Sequence, residues 1–208
     1  MAAVAPVSIH RTLPPEEAAR GDFYALLGRL FFSGPDQALL HSLAHAGALA
    51  AGADQALAKA WHELVQASSV MDGDAAAEEY DALFVAVGKA PVSVYAGFYT
   101  GAMAIDHPRV RLQAELGALG LARREHATEP EDHFSALFDV MRVLAAGGAG
   151  RSPAAIEVQK RFFDSYLGAG AVKFFSAVIG CARANYYRKV AAFGLAFMAL
   201  EAESFELE

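Results

Sequence analysis

The sequence predicts an all-α protein, folded as a single-domain bundle of about ten helices. Apolar residues recur at helical spacing along most of the chain, and the alternation typical of strands is nearly absent. The chain has 208 residues and is 55% hydrophobic, which is enough to enclose one sizeable core. Stop signals such as Ser33-Gly34-Pro35 divide the periodic segments into separate helices.

In the first half of the chain, each predicted helix begins near a proline or an aspartate, residues that favour helix starts. Pro14-Pro15 precedes the first helix, which aligns Phe23, Leu27 and Phe31 on one face. The predicted helices are 16–32, 36–50, 54–69 and 74–87. A loop over 88–94 follows, and Tyr95 opens a fifth helix that ends near Ile105.

The second half contains five more periodic segments, predicted as helices 108–119, 131–146, 154–167, 171–184 and 185–200. Between them, Ala146–Pro153 is rich in small residues, so we expect a flexible hinge before the C-terminal helices. This hinge makes a domain-swapped homodimer conceivable beside a monomer. The predicted organisation is an N-terminal arm (1–15), an all-helical domain (16–200) and an acidic tail (201–208).

Composition narrows the class of function and the cell compartment. The formal net charge of −7 argues against a nucleic-acid partner, which would need clustered positive charge. A single cysteine, Cys181, fits a reducing compartment. Neither a secretory signal in Met1–Arg11 nor an apolar run of about 20 residues is evident. We therefore expect a cytoplasmic protein without stable membrane insertion.

Catalytic signatures are weak, so we predict a protein that is not an enzyme and carries no cofactor. Gly88-Lys89 lacks the remainder of a phosphate-binding loop, and no local signature of a Ser or Cys triad is present. His41 and His45 lie one helical turn apart and leave open an alternative, a helical metal-binding protein or metalloenzyme. That alternative needs a third ligand.

Glu129-Pro130-Glu131-Asp132-His133 is the most informative stretch, because it concentrates carboxylates and a histidine before an apolar helix. Thr128 and Glu131 have the spacing of a capping box, and Pro130 suits a first helical turn. Capping accounts for these residues but gives no reason for Asp132 and His133 together. Both a structural and a binding interpretation therefore stay open.

Aromatic residues flank the central loop on both sides. Tyr80 and Phe84 close one predicted helix, and Tyr95, Phe98 and Tyr99 open the next. Plain core packing explains this spacing. A groove lined by aromatic rings and rimmed by acids also explains it, and would bind a peptide with apolar and arginine residues.

These elements occur in an order that resembles a known family. Glu79-Tyr80-x-x-Leu83-Phe84 is followed by Gly88, Pro91, Tyr95 and Tyr99, then by Gly120-Leu121, and then by Glu129-Pro130-Glu131-Asp132-His133. The chain is similar over residues 22–187 to the redox-enzyme maturation chaperones of the TorD/DmsD/NarJ type. The Glu-Pro-x-Asp-His element is the specific part of this resemblance.

The resemblance implies a cytoplasmic chaperone that binds the N-terminal twin-arginine signal, or a related N-terminal segment, of a catalytic subunit. That subunit belongs to a molybdopterin-containing oxidoreductase, and the chaperone assists cofactor insertion before export. The implied signal-peptide site consists of Tyr80, Leu83, Phe84, Tyr95, Tyr99, Glu129, Asp132 and His133. Asp132 would pair with a signal arginine, and His133 would orient or titrate with it. A structural subunit of a redox complex is a further alternative.

Overall fold

The computed structural model describes residues 15–50, 52–85, 89–100, 108–122, 129–148 and 150–207. Within these ranges the fold is all-α, as predicted, and the extended pairings are isolated bridges. The helices are α1 (Pro15–Phe32), α2 (Gln37–Ala44), α3 (Gln55–Val70), α4 (Gly73–Tyr80), α5 (Gly97–Thr100), α6 (Pro108–Ala118), α7 (Phe134–Ala146), α8 (Ile156–Phe162), α9 (Gly168–Gly180) and α10 (Tyr186–Glu206). Two π-helical turns, Asp81–Val85 and Phe163–Leu167, extend α4 and join α8 to α9.

Aspartate side chains cap the starts of three helices in the N-terminal half, α2, α3 and α4. Asp36 Oδ1 accepts from the Leu39 amide and Asp54 Oδ1 from the Leu57 amide, each at 2.8 Å. Such caps satisfy amides that have no partner inside the helix. Because these signals are local, the predicted starts of α2 and α3 lie within one residue of the observed ones.

The core is a continuous set of aromatic rings at the centre of the bundle. Phe31 of α1 lies 4.9 Å from Phe174 of α9, and Phe134 of α7 stacks on Phe174 at 4.4 Å. Phe138 stacks on Phe175 with nearly parallel rings. All these side chains are fully buried, so α1, α7 and α9 share one hydrophobic centre.

Close helix approaches depend on glycine at two positions. A Cβ added to Gly194 of α10 would lie 2.4 Å from the Phe175 ring, and one added to Gly21 would lie 2.6 Å from Ala146 Cβ. Both distances are shorter than carbon atoms tolerate. Glycine therefore permits the contacts of α10 with α9 and of α1 with α7.

The predicted ends of two helices, α2 and α10, are wrong. The helix predicted over 36–50 ends at Ala44, and the Trp61 indole donates to the Gly47 carbonyl at 2.9 Å beyond it. The terminal helix, predicted to end at Leu200, continues through Glu206. Glu201 and Phe205 are buried. Their packing keeps residues 201–206, which belong to the segment predicted as an acidic tail, in a helical conformation.

The small-residue segment between α7 and α8 forms a hydrogen-bonded turn. Gly148 and Arg151 exchange amide bonds of 3.1 and 3.0 Å, and the Ala154 amide donates to the Leu144 carbonyl. Gly147 has a φ of 73°, and a Cβ there would lie 2.4 Å from the Arg151 carbonyl oxygen. The predicted flexibility of this hinge and the swapped dimer stay predictions.

One helical stretch among the described residues, Ile156–Gly180, is long and apolar enough to cross a membrane by length and composition. The sequence predicted two shorter helices here, whereas the π-helical turn at Phe163–Leu167 makes them continuous. Phe162, Phe174 and Phe175 of this stretch are fully buried in the protein core. The stretch therefore packs as a core helix of the bundle.

Candidate functional site

The candidate site forms where the segment before α5 pairs with the segment before α7. Tyr95 and His133 form an antiparallel bridge. The Ala96 amide donates to the Asp132 carbonyl and the Phe134 amide donates to the Val94 carbonyl, each at 2.9 Å. This pairing brings the acidic segment against the aromatic one, although Tyr95 and His133 lie 38 positions apart in the sequence.

The pairing also moves the start of α7. The sequence predicted a helix from Glu131, but residues 131–133 form a turn and a bridge, and the helix begins at Phe134. The Asp132 carbonyl accepts from the Ala96 amide, and the Ala136 and Leu137 amides donate to the His133 carbonyl, so the first helical turn starts from His133. The other half of the predicted capping box, Thr128, lies outside the described residues.

His133 is the actual N-cap of α7. Its Nδ1 accepts from the Ser135 amide at 3.1 Å and lies 2.7 Å from Ser135 Oγ. The side chain is 2% exposed. Burial lowers the pKa of His133 below its usual 6.5, against the opposing effect of the Glu129 and Asp132 carboxylates. The capping role therefore uses the neutral imidazole, because a protonated Nδ1 cannot accept.

This arrangement predicts a pH dependence of stability. The unfolded chain takes up a proton at His133 as the pH falls through about 6.5, while the folded protein resists protonation there. The unfolded state then binds more protons, so the free energy of unfolding should fall between about pH 7.5 and pH 5.5. His133→Asn keeps a capping oxygen and removes the titration. The free energy of unfolding of this variant, measured with urea at several pH values, should therefore change less steeply with pH. If the free energy of unfolding changes equally with pH in the two proteins, this role is contradicted.

Carboxylates surround Tyr95 on the outer side of the pairing. The Tyr95 hydroxyl donates to Glu129 Oε2 at 2.9 Å, and its ring meets the His133 ring edge-on at 5.4 Å. Partial burial and the Glu129 carboxylate both raise the pKa of Tyr95. Asp132 forms an ion pair with an arginine, since Arg109 Nε donates to Asp132 Oδ1 at 3.0 Å. The site therefore already accommodates a guanidinium group.

The aromatic members divide into an outer and an inner group. Phe98 is 62% exposed and meets Tyr99 edge-on at 5.0 Å. Tyr99 is half-buried, donates to the Ser93 carbonyl at 2.8 Å, and has a pKa raised by burial to about 12. Its ring also reaches Phe134 and Phe174 of the core, so this residue connects the site to the hydrophobic centre.

Tyr80, Leu83 and Phe84 form the inner group and lie in the core. Leu83 is fully buried, and Phe84 packs edge-on against Phe31 at 5.7 Å. The Tyr80 hydroxyl lies 2.9 Å from the Phe32 carbonyl, at the end of α1. Solvent reaches these three side chains poorly, so they support the outer group from beneath.

Two residues outside the predicted set belong to the site by position. Phe98 presents an exposed ring next to Gly97, at which an added Cβ would lie 3.2 Å from Asp132 Oδ2. Arg109 of α6 pairs with Asp132. The sequence contained a signal for Phe98 in the aromatic spacing, but the Arg109 contact arises only from the folding of α6 onto the site.

The alternative metal site lacks a ligand among the described residues. The His41 and His45 rings are exposed and lie 4.1 Å apart, and His45 Nδ1 is 2.8 Å from the His41 carbonyl. Across the part of the chain that the structure describes, no group of three His, Cys, Asp or Glu residues is placed to hold a metal ion. The structure therefore offers this alternative no third ligand there.

The fold is shared with a protein of known structure. A candidate redox enzyme maturation protein from Archaeoglobus fulgidus superposes with a TM-score of 0.55, over 94% of this chain and 98% of its own. Sequence identity is 19%, so this likeness concerns the fold. Among curated proteins, no sequence matches the chain.

The sequence itself identifies the family. The model of the nitrate reductase delta subunit family matches residues 50–176, which is more than half of the chain. The chain belongs to this family, and the predicted resemblance to the TorD/DmsD/NarJ-type chaperones is confirmed. It is accordingly a redox-enzyme maturation chaperone, a class that acts by binding a redox-enzyme subunit.

Proposed function

We propose that this chaperone binds the N-terminal twin-arginine signal, or a related N-terminal segment, of a molybdoenzyme catalytic subunit. Binding takes place in the cytoplasm, assists insertion of the molybdopterin cofactor and delays export until the enzyme is complete. The protein acts by binding and catalyses no reaction of its own.

The observation that carries the proposal is the position of Asp132. Its side chain is 13% exposed and carries the Arg109 guanidinium at 3.0 Å, and Glu129 lies on the same turn. Hydrogen bonds between guanidinium and carboxylate are short and directional, and a partly dry site strengthens them. An arginine of the client would pair with Asp132 and fix the register of the bound segment.

The neighbouring rings supply the apolar part of the proposed site. Exposed Phe98 and half-buried Tyr99 give a surface against which apolar signal residues pack. Tyr95 bridges this surface and Glu129 through its hydroxyl. Apolar contacts contribute most of the affinity in such a groove, and the acids select the arginine.

Substitution of Asp132 tests this proposal directly. Asp132→Asn removes the charge and should weaken a twin-arginine peptide by about tenfold to hundredfold, the range for a charge-assisted hydrogen bond. Isothermal titration calorimetry with the full chain measures this change. The variant should show an unchanged far-ultraviolet circular dichroism spectrum, because the Ala96 bond uses the main-chain carbonyl of residue 132.

Asp139→Asn is the matched control. Asp139 is an exposed acid of α7 that pairs with Arg142 at 2.7 Å. The substitution therefore removes one negative charge at a position away from the candidate site. Its peptide affinity should stay near that of the unmodified protein. Equal affinities for the Asp132 and Asp139 variants would remove Asp132 from the binding site.

A further inference from the structure

The helix α6 has an unusual attachment to the rest of the protein. Over residues 109–118 it buries two side chains, Leu112 and Leu116. Its other described contacts are polar. By comparison, α9 buries Ala171, Phe174, Phe175 and Val178 along with a glycine. Since apolar burial supplies most of the adhesion of a helix, α6 is held less firmly than its neighbours.

Polar contacts fasten α6 at its two ends and at its middle. Arg109 pairs with Asp132, and the Gln113 amide donates to Glu131 at 3.1 Å. Glu115 accepts from the Tyr166 hydroxyl at 2.9 Å and lies 3.3 Å from Arg161 Nε. The arginines in these pairs are more than half exposed, so their contacts exchange with water more readily than contacts between buried groups do.

At the far end of the helix, one side chain from the turn between α7 and α8 adds a polar contact to the apolar packing of Leu116, Leu119 and Leu121. The Arg151 guanidinium donates to the Gly120 carbonyl at 3.2 Å and also to the Leu119 carbonyl. Both carbonyls lie just beyond the last turn of α6, where helical carbonyls lack internal partners. The polar part of the attachment of this end thus depends on an exposed cation.

The residues by which α6 docks form a recognisable pattern. Arg109, Leu112 and Leu116 stand at positions i, i+3 and i+7, which places one guanidinium and two leucines along one face. Amphipathic helices that dock into a groove present their contact residues at this spacing. The proposed client segment has the same chemistry, arginine followed by apolar residues.

We propose that α6 is an internal pseudo-ligand, whose Arg109 occupies the Asp132 carboxylate until an arginine of the client segment displaces it. The inference rests on the proposed function, because it assigns a regulatory element to the same site. An incoming arginine takes the place of Arg109 on Asp132, and the apolar residues that follow it pack on Phe98 and Tyr99 as proposed above. Because α6 competes for this site, binding favours client segments that carry both an arginine and apolar residues. A segment with only one of these features displaces α6 poorly.

Two measurements on the full chain test the inference. Arg109→Gln releases the competitor, so a twin-arginine peptide should bind about twofold to fivefold more tightly, as expected from the loss of a half-exposed ion pair. Arg142→Gln is the control, because it removes an arginine from a surface ion pair on α7; the Arg142 side chain is 31% exposed, against 56% for Arg109. Hydrogen–deuterium exchange on the unmodified protein should show that the peptide accelerates exchange of the 109–118 amides.

The outcomes separate this inference from the proposed function. Peptide binding with unchanged or slower exchange in α6, or equal affinities for the Arg109 variant and the unmodified protein, would overturn the pseudo-ligand while leaving the binding function in place. Weaker binding by the Arg109 variant would also overturn it, since Arg109 would then contact the client. Absence of binding in all proteins would refute the proposed function and the inference with it.

Discussion

Replacing Glu201 by alanine is expected to lower the free energy of unfolding by about 3 kcal/mol, the lower end of the range for breaking a buried ion pair. Glu201 is 1% exposed and lies on α10. Its two oxygens accept from Arg20 Nε and Nη2 at 2.7 and 2.8 Å, and Oε2 also accepts from the Tyr24 hydroxyl at 2.7 Å. One carboxylate thus satisfies two side chains of α1.

The size of the effect follows from what the substitution leaves behind. The Tyr24 side chain is fully buried, so its hydroxyl would lose its acceptor in a place that water does not reach. Arg20 would keep its contact with the Phe205 ring, at 5.4 Å, but would lose its counter-charge. Because the Arg20 side chain is 21% exposed, water moderates the loss, which is why we expect the lower end of the range.

Glu206→Ala provides the control on the same helix. Glu206 is 83% exposed and lies 3.7 Å from Lys160 Nζ, so its removal should change stability by less than about 1 kcal/mol. Urea unfolding followed by circular dichroism measures both variants. If Glu201→Ala and Glu206→Ala unfold at the same urea concentration, the buried triad does not hold α1 to α10.

The end of α10 illustrates a limit of sequence reasoning. Residues 201–208 carry four acids in eight positions, a composition typical of a solvated tail. The partner that makes Glu201 structural is Arg20, which lies 181 positions away. Helix ends governed by local caps, such as Asp54 before α3, were predicted within one residue, because cap and helix are neighbours in the sequence.

The junction of α8 and α9 illustrates a different limit. Gly168 follows a predicted helix end, and glycine commonly marks one. The chain instead continues as helix through the π-helical turn, and a Cβ on Gly168 would lie 2.9 Å from the Phe163 ring. Glycine is needed here for packing space. A single sequence does not distinguish that requirement from a stop signal.

At the candidate site, sequence order supplied the residues and the structure supplied their arrangement. The family resemblance named Tyr95, Glu129 and Asp132, which the bridge between residues 95 and 133 does bring together. It also named Leu83 and Phe84, which lie in the core. Helical periodicity predicts which residues of a helix face inward. It does not show which of two segments that face each other is covered by another part of the chain.

Glu79 shows how a family motif can serve the fold. In the sequence it precedes Tyr80 and stands among residues assigned to binding, although it was not itself assigned there. In the structure its carboxylate accepts from three amides at the start of α10, those of Asn185, Tyr186 and Tyr187, at 2.8, 3.0 and 2.8 Å. The side chain of α4 therefore caps a helix more than 100 residues away.

Replacing Glu79 by alanine is expected to lower the free energy of unfolding by about 2 to 3 kcal/mol, the value for hydrogen bonds to a charged group. The three amides would lose their acceptor, and the negative charge that suits a helix N-terminus would be lost with it. Because Glu79 joins α4 to α10, the loss should also be local: hydrogen exchange at the amides of residues 185–187 should accelerate more than elsewhere in α10.

Glu78→Ala is the matched control, since Glu78 is the adjacent acid of α4 and is exposed. Glu79→Gln separates charge from hydrogen bonding: a single amide oxygen accepts fewer of the three bonds, so this variant should lie between alanine and the unmodified protein. If protection at residues 185–187 is the same in the Glu79 and Glu78 variants, the remote cap is not what orders the start of α10. Loss of protection confined to the Glu79 variants would establish that this carboxylate of α4 caps the start of α10.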